Sequence, residues 1–384
     1  MNPYRIIISG GGTGGHVFPA IAIADTFRQR HPDVEILFVG ADNRMEMERV
    51  PKAGYKIVGL PVSGFDRSHK LKNIAVMFRL FKSLRMAKKI IRTFKPDIAV
   101  GVGGYASAPT LRAASSLGVP TLIQEQNSYA GITNKLLGKR AAKICVAYEG
   151  MERFFPAAKI VLTGNPVRKE LETGLEDKKT ALEYFRLQPD RKTVLFIGGS
   201  LGARTINNGL LDGLPQLLDA GIQIIWQTGK YYHDIIRHKL ERTDTKSLVW
   251  RADFISRMDY AYAAADLVVS RAGASSVSEL CLLGKAAILI PSPNVAEDHQ
   301  TKNALAVAGR DAAVVIADSD AEKLLADTVL NLIHDDGKLQ SLSKNIAPLA
   351  RRQSAELIVD EIEKIISSHH RDTENTKIIP ECTS

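Results

Sequence analysis

The chain has 384 residues, with 51 Lys+Arg against 42 Asp+Glu for a formal net charge of +9, and at about 100–200 residues per domain it holds one large domain or two. With 45% hydrophobic and 24% charged residues it is neither disordered nor collagen-like, and its three cysteines, Cys145, Cys281 and Cys382, cannot build a secreted-type disulfide framework, which predicts a reducing compartment. No apolar run reaches the ~18 residues of a membrane helix, and Met1–Arg5 runs into Ile6-Ile7-Ile8 without a signal-peptide pattern.

Short runs rich in Val and Ile predict strands over 4–9, 34–39, 56–60, 97–102, 119–124, 143–147 and 159–162. After the turn signal Gly164-Asn165-Pro166 they resume over 193–198, 222–227, 247–250, 266–270, 286–290 and 312–316. Helical patterns lie between most of them. Strands alternating with helices imply parallel sheets covered on both faces, here in two doubly wound α/β domains. Beyond about residue 320 the pattern is all helical, over Ala321–Ile333, Lys338–Ala347 and Ala355–Ser368. His369–Ser384 is polar with little periodicity and reads as a frayed tail.

The charge is unevenly spread. Residues 1–165 carry 24 basic against 11 acidic residues, a net +13, and the rest of the chain is at −4. Residues 67–95 hold ten basic residues and no acid, which points to an anionic partner. Within that stretch Met77, Leu80, Leu84, Ala87, Ile91 and Phe94 recur at helical spacing and predict a core face. Ile74, Phe78 and Phe81 line an adjoining face, continued by Arg85, Lys88 and Arg92. Taken alone, that helix reads either as a wide core stripe with a solvated basic flank or as an interfacial membrane contact. No nucleic-acid-binding signature accompanies the charge.

Glycine-rich turns follow several strands. The first is Ser9-Gly10-Gly11-Gly12-Thr13-Gly14-Gly15-His16, the second Gly101-Val102-Gly103-Gly104-Tyr105, the third Gly198-Gly199-Ser200-Leu201-Gly202-Ala203. Glycines there let a backbone approach a phosphate at a helix N-terminus, although a tight strand-to-helix turn would need them too. A dinucleotide dehydrogenase would end its second strand with an acid, but this one ends Phe38-Val39-Gly40. In the second half Arg271-Ala272-Gly273-Ala274-Ser275-Ser276-Val277-Ser278-Glu279 follows another strand. Ser275 is the expected N-cap and Glu279 is suited to a ribose diol, with a Ser276–Glu279 capping box as the structural alternative. His299 and Gln300, in the loop after strand 286–290, offer hydrogen bonds to a sugar. No metal-ligand cluster is read, and Asp318-Ser319-Asp320 reads as a helix cap.

These segments together resemble the MurG glycosyltransferases, which add N-acetylglucosamine to the lipid-linked muramyl-pentapeptide precursor of peptidoglycan. The resemblance runs from about residue 4 to about 366 and rests on an ordered set. In chain order this is GGTGGHVFPA, GVGGYAS, QEQN, GNPVR, GGSLGA, the stretch Asp253–Met258, RAGASSVSE and EDHQTKNA. It implies the GT-B fold, two Rossmann-like domains facing a cleft, with the last helix crossing back to the first domain. The boundaries expected are 1–164 for the acceptor and membrane-facing domain and 165–348 for the UDP-GlcNAc domain, followed by the returning helix at 349–368 and a flexible tail at 369–384.

The resemblance further implies that Glu279 takes the ribose hydroxyls and the Ile255 backbone the uracil. Arg168, Ser200 and the helix start Ala274, Ser275, Ser276, Val277 and Ser278 would hold nucleotide and diphosphate. Gln300 would read the sugar, with Thr13, Gly14, Gly15 and Asn127 contributing from the other domain. Gly12, Gly103, Gly104 and Tyr105 would meet the acceptor diphosphate. His16 is the leading candidate for the base that deprotonates the muramyl hydroxyl, since an imidazole of ordinary pKa about 6.5 suits proton transfer near neutrality; Glu125 is its rival. Ile74, Phe78, Phe81, Arg85, Lys88 and Arg92 become a membrane contact, because the acceptor carries a lipid tail. The implied partners are UDP-GlcNAc, the undecaprenyl-pyrophosphoryl acceptor (lipid I), an anionic membrane surface on the cytoplasmic face of the inner membrane, and proteins of cell-wall synthesis or division. No cofactor or metal is expected. Leu201 departs from the Gln of many members, and Ala108 from a common Gly. The competing classes are a UDP-GlcNAc 2-epimerase or a transferase with a soluble acceptor, and a non-catalytic UDP-sugar-binding membrane adaptor.

Overall fold

The computed structural model describes residues 3–62, 72–241, 243–245 and 247–378. The chain divides into two compact units, one running to Val167 and resuming at Gln353, the other Arg168–Arg352. The first contains strands β1 (Arg5–Ser9), β2 (Glu35–Ala41), β3 (Lys56–Leu60), β4 (Ile98–Gly101), β5 (Thr121–Glu125), β6 (Lys143–Val146) and β7 (Ile160–Leu162). The second contains β8 (Thr193–Ile197), β9 (Gln223–Gln227), β10 (Val249–Ala252), β11 (Leu267–Ser270), β12 (Ala287–Leu289) and β13 (Val314–Val315). All thirteen fall on the runs expected from the sequence. Strands buried on both faces read as continuous Val/Ile stretches, and β1, β8 and β11 are such strands.

Both sheets are parallel, ordered β3-β2-β1-β4-β5-β6-β7 and β10-β9-β8-β11-β12-β13. In each, chain order reverses between two adjacent strands, β1 and β4 in one and β8 and β11 in the other. Ligands of open α/β sheets bind beyond the carboxyl ends of such a pair. The register places Ser9 opposite Gly101 and Ser270 opposite Ile197. The first and second glycine turns therefore leave the first sheet side by side. The third turn and the segment Arg271–Glu279 do the same in the second.

The helix Ser354–Ile378 completes the first unit. Its Ile358, Val359, Ile362 and Ile366 join Ile6, Ile8, Val17 and Phe27 in one core. Arg30, near the end of the helix Gly14–Arg30, pairs with Asp360 at 2.5 Å, and His31 Nε2 lies 2.8 Å from Glu363. The tail expected over 369–384 is instead helical as far as Ile378. No proline or glycine interrupts it there, and His370 meets Asp97 at 3.2 Å.

Candidate functional site

In the first unit the two glycine turns are built into each other. A Cβ on Gly10 would lie 2.2 Å from Val102 Cγ2, and one on Gly104 would lie 2.3 Å from the Gly11 carbonyl oxygen. A Cβ on Gly103 would lie 2.7 Å from His16 Nε2. At each of these positions neighbouring protein occupies the space a Cβ would need. Gly12, at φ +90°, is the one that faces open space. Its N–H is already committed, donating to Glu46 Oε2 at 2.8 Å. Tyr105 is half-exposed.

His16 lies in the first turn of the helix Gly14–Arg30, which Thr13 precedes in extended conformation. Its Nδ1 lies 3.1 Å from Thr13 Oγ1. Glu125, at the end of β5, is buried and receives four donors. Oε1 accepts from the Asn127 N–H and Nδ2, and Oε2 from the Gly131 N–H and Asn134 Nδ2, all within 3.3 Å. A carboxylate engaged in this way orients Asn127 and has little capacity left for a substrate proton. Gln124 Nε2 donates to Asn165 Oδ1, and Asn165 Nδ2 to the Gln126 carbonyl, both at 2.9 Å. The QEQN and GNPVR segments are thus one hydrogen-bonded unit.

In the second unit the third turn follows the same logic. Gly202 and Gly229 pack backbone to backbone, each leaving no space for a Cβ, while Gly199 at φ +84° is open and Ser200 beside it is exposed. The helix Ala274–Leu283 starts from Gly273. Ser275 is therefore not its N-cap but its second residue, and its Oγ is buried without a protein partner. No capping box forms either. Glu279 instead accepts from the Tyr262 hydroxyl at 2.8 Å, and Arg168 Nε lies 3.5 Å from its other oxygen. Burial pushes the Glu279 carboxyl above its ordinary range, opposed by Arg168 and by the Tyr262 hydrogen bond. Ile255 donates its N–H to Gln227 Oε1 at 3.0 Å, so its carbonyl is the backbone group it can offer a base. Gln300 accepts the Ser292 N–H at 2.9 Å through its amide oxygen, which leaves its NH2 for a ligand. Asp318 does not cap its helix, which starts from Ala317. It pairs with Arg271, which also reaches the Ile290 carbonyl at 3.1 Å and Thr205 Oγ1 at 3.0 Å. No group of three or more His, Cys, Asp or Glu that could hold a metal occurs among the described residues.

Two family models match the chain, the glycosyltransferase family 28 N-terminal domain over 6–146 and the family 28 C-terminal domain over 193–361. A Parabacteroides distasonis protein is 67% identical over 367 residues, covering 95% of this chain and 99% of its own. A Porphyromonas gingivalis protein is 59% identical, covering 96% and 97%. Both are described as UDP-N-acetylglucosamine–N-acetylmuramyl-(pentapeptide) pyrophosphoryl-undecaprenol N-acetylglucosamine transferases. The chain belongs to the MurG family of glycosyltransferases. The crystal structure of Acinetobacter baumannii MurG superposes with a TM-score of 0.75 at 28% identity, covering 94% of this chain and all of that one. The GT-B fold and glycosyltransferase class implied by the motifs therefore hold.

One part of this MurG-family chain differs from the sequence reading. On the helix Lys72–Phe94 the expected core residues Ala87 and Ile91 are buried, but Met77 and Leu80 are exposed and Val76 and Ser83 are buried in their stead. Met77 and Leu80 thus join Phe78, 73% exposed, and Phe81, 54% exposed, in one apolar patch. Arg85 stacks over Phe81, with 4.3 Å from guanidinium to ring centroid. Lys88 and Arg92 follow along the helix; the Ile74 side chain, with Arg67 and Lys70, lies outside the described residues. No described helix is long and apolar enough to cross a membrane.

Glu46, Tyr262 and Gln227 escaped the sequence reading. Each acts across the fold on a residue 17 to 34 positions away, and no local spacing signals such a contact.

Proposed function

We propose that this chain transfers N-acetylglucosamine from UDP-GlcNAc to the muramyl 4-hydroxyl of undecaprenyl-pyrophosphoryl-MurNAc-pentapeptide, converting lipid I to lipid II with inversion to a β-1,4 link. The observation that carries this reading is the near-full-length identity of 67% to a relative bearing that transferase name. It favours transfer over the 2-epimerase and non-catalytic alternatives.

On the donor side, the Glu279 carboxylate accepts the two ribose hydroxyls while Tyr262 and Arg168 hold it in place. The Ile255 carbonyl accepts from uracil N3–H. The orphan Ser275 hydroxyl and the first-turn N–H groups at Ala274–Ser276 meet the diphosphate, where a helix N-terminus favours negative charge, while the Val277 N–H already donates to the Gly273 carbonyl at 2.9 Å. Ser200 and Ser278 add hydroxyls, and the Gln300 amide addresses the sugar.

On the acceptor side, His16 is the base. With Nδ1–H directed at Thr13 Oγ1, Nε2 is the nitrogen assigned to take the 4-hydroxyl proton. The 4-oxygen then bonds to the anomeric carbon as the bond to the phosphate oxygen breaks, and UDP leaves with the electron pair. Stabilising that leaving charge is the largest contribution the protein makes. Because Glu46 holds the Gly12 N–H, the acceptor diphosphate would meet the turn at Gly14 and Gly15, the start of the helix. Glu125 serves by holding Asn127.

The apolar patch at Met77–Phe81 with its cationic flank supports peripheral binding to an anionic membrane, here the cytoplasmic face of the inner membrane. The deciding experiment supplies purified protein with labelled UDP-GlcNAc and the lipid-linked muramyl-pentapeptide. Label moving to the lipid supports the reading; label released as free sugar or epimer overturns it.

A further inference from the structure

Glu46 is 1% exposed, although it opens a short surface helix, Glu46–Lys52. Its carboxylate turns inward and bridges two backbone donors, the Ala41 N–H at the end of β2 at 2.9 Å and the Gly12 N–H at 2.8 Å. Two glycines clear its path. A Cβ on Gly11 would lie 2.1 Å from Glu46 Oε1, and one on Gly40 would lie 2.6 Å from Glu46 Cγ. Gly40 is where a dinucleotide-binding sheet carries its ribose-binding acid. Here the position is emptied so that a carboxylate from the next helix can reach the turn.

We infer that Glu46 is a positioning residue for His16, acting as a built-in anion that fixes the first glycine turn and keeps the acceptor's phosphates off the Gly12 N–H. Both partners of Glu46 are N–H donors. Only a group with an acceptor on each arm can bridge them, and a hydrogen bond from N–H to carboxylate is among the stronger neutral-to-ion contacts. Gly11 and Gly12, at φ +152° and +90°, lie where the backbone is otherwise free to move. Their fixing sets where the helix begins, at Gly14, and so where the His16 ring stands against Gly103. A second negative group beside the Gly12 N–H would meet the carboxylate in a low-dielectric setting, which steers a diphosphate along the turn to the helix start.

The inference rests on the acceptor-side reading of His16, and the test separates the two. The full-length protein is compared with Glu46→Gln, Gly40→Ala and His16→Ala. Each is assayed for kcat, KM for UDP-GlcNAc, UDP affinity by calorimetry and melting temperature. Glu46→Gln is nearly isosteric but turns one N–H toward an NH2. Gly40→Ala crowds Glu46 Cγ and leaves the charge, the turn and His16 chemically intact. For both we expect kcat to fall about 10²-fold, as for a misplaced catalytic group, with KM for UDP-GlcNAc and UDP affinity unchanged. Should Glu46→Gln fail to fold, Gly40→Ala decides alone. Near-normal kcat in the folded variants overturns the inference, as does a parallel loss of kcat and UDP affinity, which would mark a general structural fault. An inactive His16→Ala beside an active Glu46→Gln overturns only this inference, whereas a fully active His16→Ala removes the reading beneath it.

Discussion

The first unit buries Glu46 and Glu125, and the second buries Glu279, yet the protein provides for these carboxylates differently. Glu125 receives four donors and Glu46 two backbone N–H groups. Glu279 receives one hydroxyl, with a guanidinium nitrogen 3.5 Å away. An ionised carboxylate has about four lone-pair sites, and burying one without partners is costly. A carboxylate whose sites the chain itself fills is part of the scaffold. One left short, beside an orphan serine hydroxyl and a helix N-terminus, is the candidate to receive the proposed ligand. The contrast separates architecture from binding in two units that share the same sheet order around their switch points.

The sharpest test of the functional side is His16→Ala. Loss of a general base costs about 10²–10⁴-fold in rate, measured in a single-turnover assay with donor affinity unchanged. If turnover stays near normal, the imidazole is not the base.

The scaffold side breaks at Glu125. Glu125→Ala leaves two N–H groups and two Asn amides without their acceptor, and it should cost about 3 kcal/mol or more of stability, read by chemical denaturation. Loss of transfer without loss of stability would return Glu125 to a catalytic role.

Glu279→Gln should behave in the opposite way. Donor affinity should fall about 10–100-fold as charge-assisted hydrogen bonds weaken, while the melting temperature holds or rises. The sign follows from burial, which raises the folded carboxyl's pKa above its ordinary value. The native state then binds that proton more tightly than the unfolded chain. The stability contribution of Glu279 therefore declines as pH rises from the ordinary carboxyl range through the raised value, and Glu279→Gln removes this slope. Binding runs the other way, since the ionised form accepts the ribose, so UDP affinity should fall as pH drops through the raised pKa. Calorimetry with UDP across acid to neutral pH measures this; equal affinity throughout would place the ribose elsewhere.

The weakest contact per residue is at the membrane. Each basic residue near an anionic surface is worth about 1 kcal/mol, so reversing Arg85, Lys88 and Arg92 together should weaken vesicle binding about a hundredfold or more, and high salt should weaken it too. Unchanged sedimentation with anionic vesicles in both tests would leave the helix as an ordinary basic surface.

Much of this was legible in the sequence. The thirteen strands were, because a strand buried on both faces must be apolar along its whole length. The glycine turns were visible too, but the close packing they permit was not. Gly10, Gly11, Gly103 and Gly104 look like phosphate-binding glycines, and in the fold they accommodate Val102, Glu46, His16 and each other. Helical spacing placed Met77 and Leu80 in the core. Periodicity reports which residues share a face, and only the neighbouring elements determine whether that face is covered. Ser276–Glu279 has the spacing of a capping box, but Tyr262 from another helix claims the carboxylate. The expected tail from 369 looked frayed for want of periodicity, whereas docking of the helix Ser354–Ile378 onto the first unit carries it on to Ile378.

By itself the sequence determined the secondary structure, the two α/β units and the family, and it singled out Glu279 as a candidate. These depend on local apolar pattern and on short motifs whose spacing is written along the chain. The tertiary structure alone decided that the turns after β1 and β4, some ninety residues apart, emerge as neighbours, and that Glu46 enters between them. Strand order is a long-range choice. A buried carboxylate finds its two N–H donors only after the sheet has set which loops lie side by side.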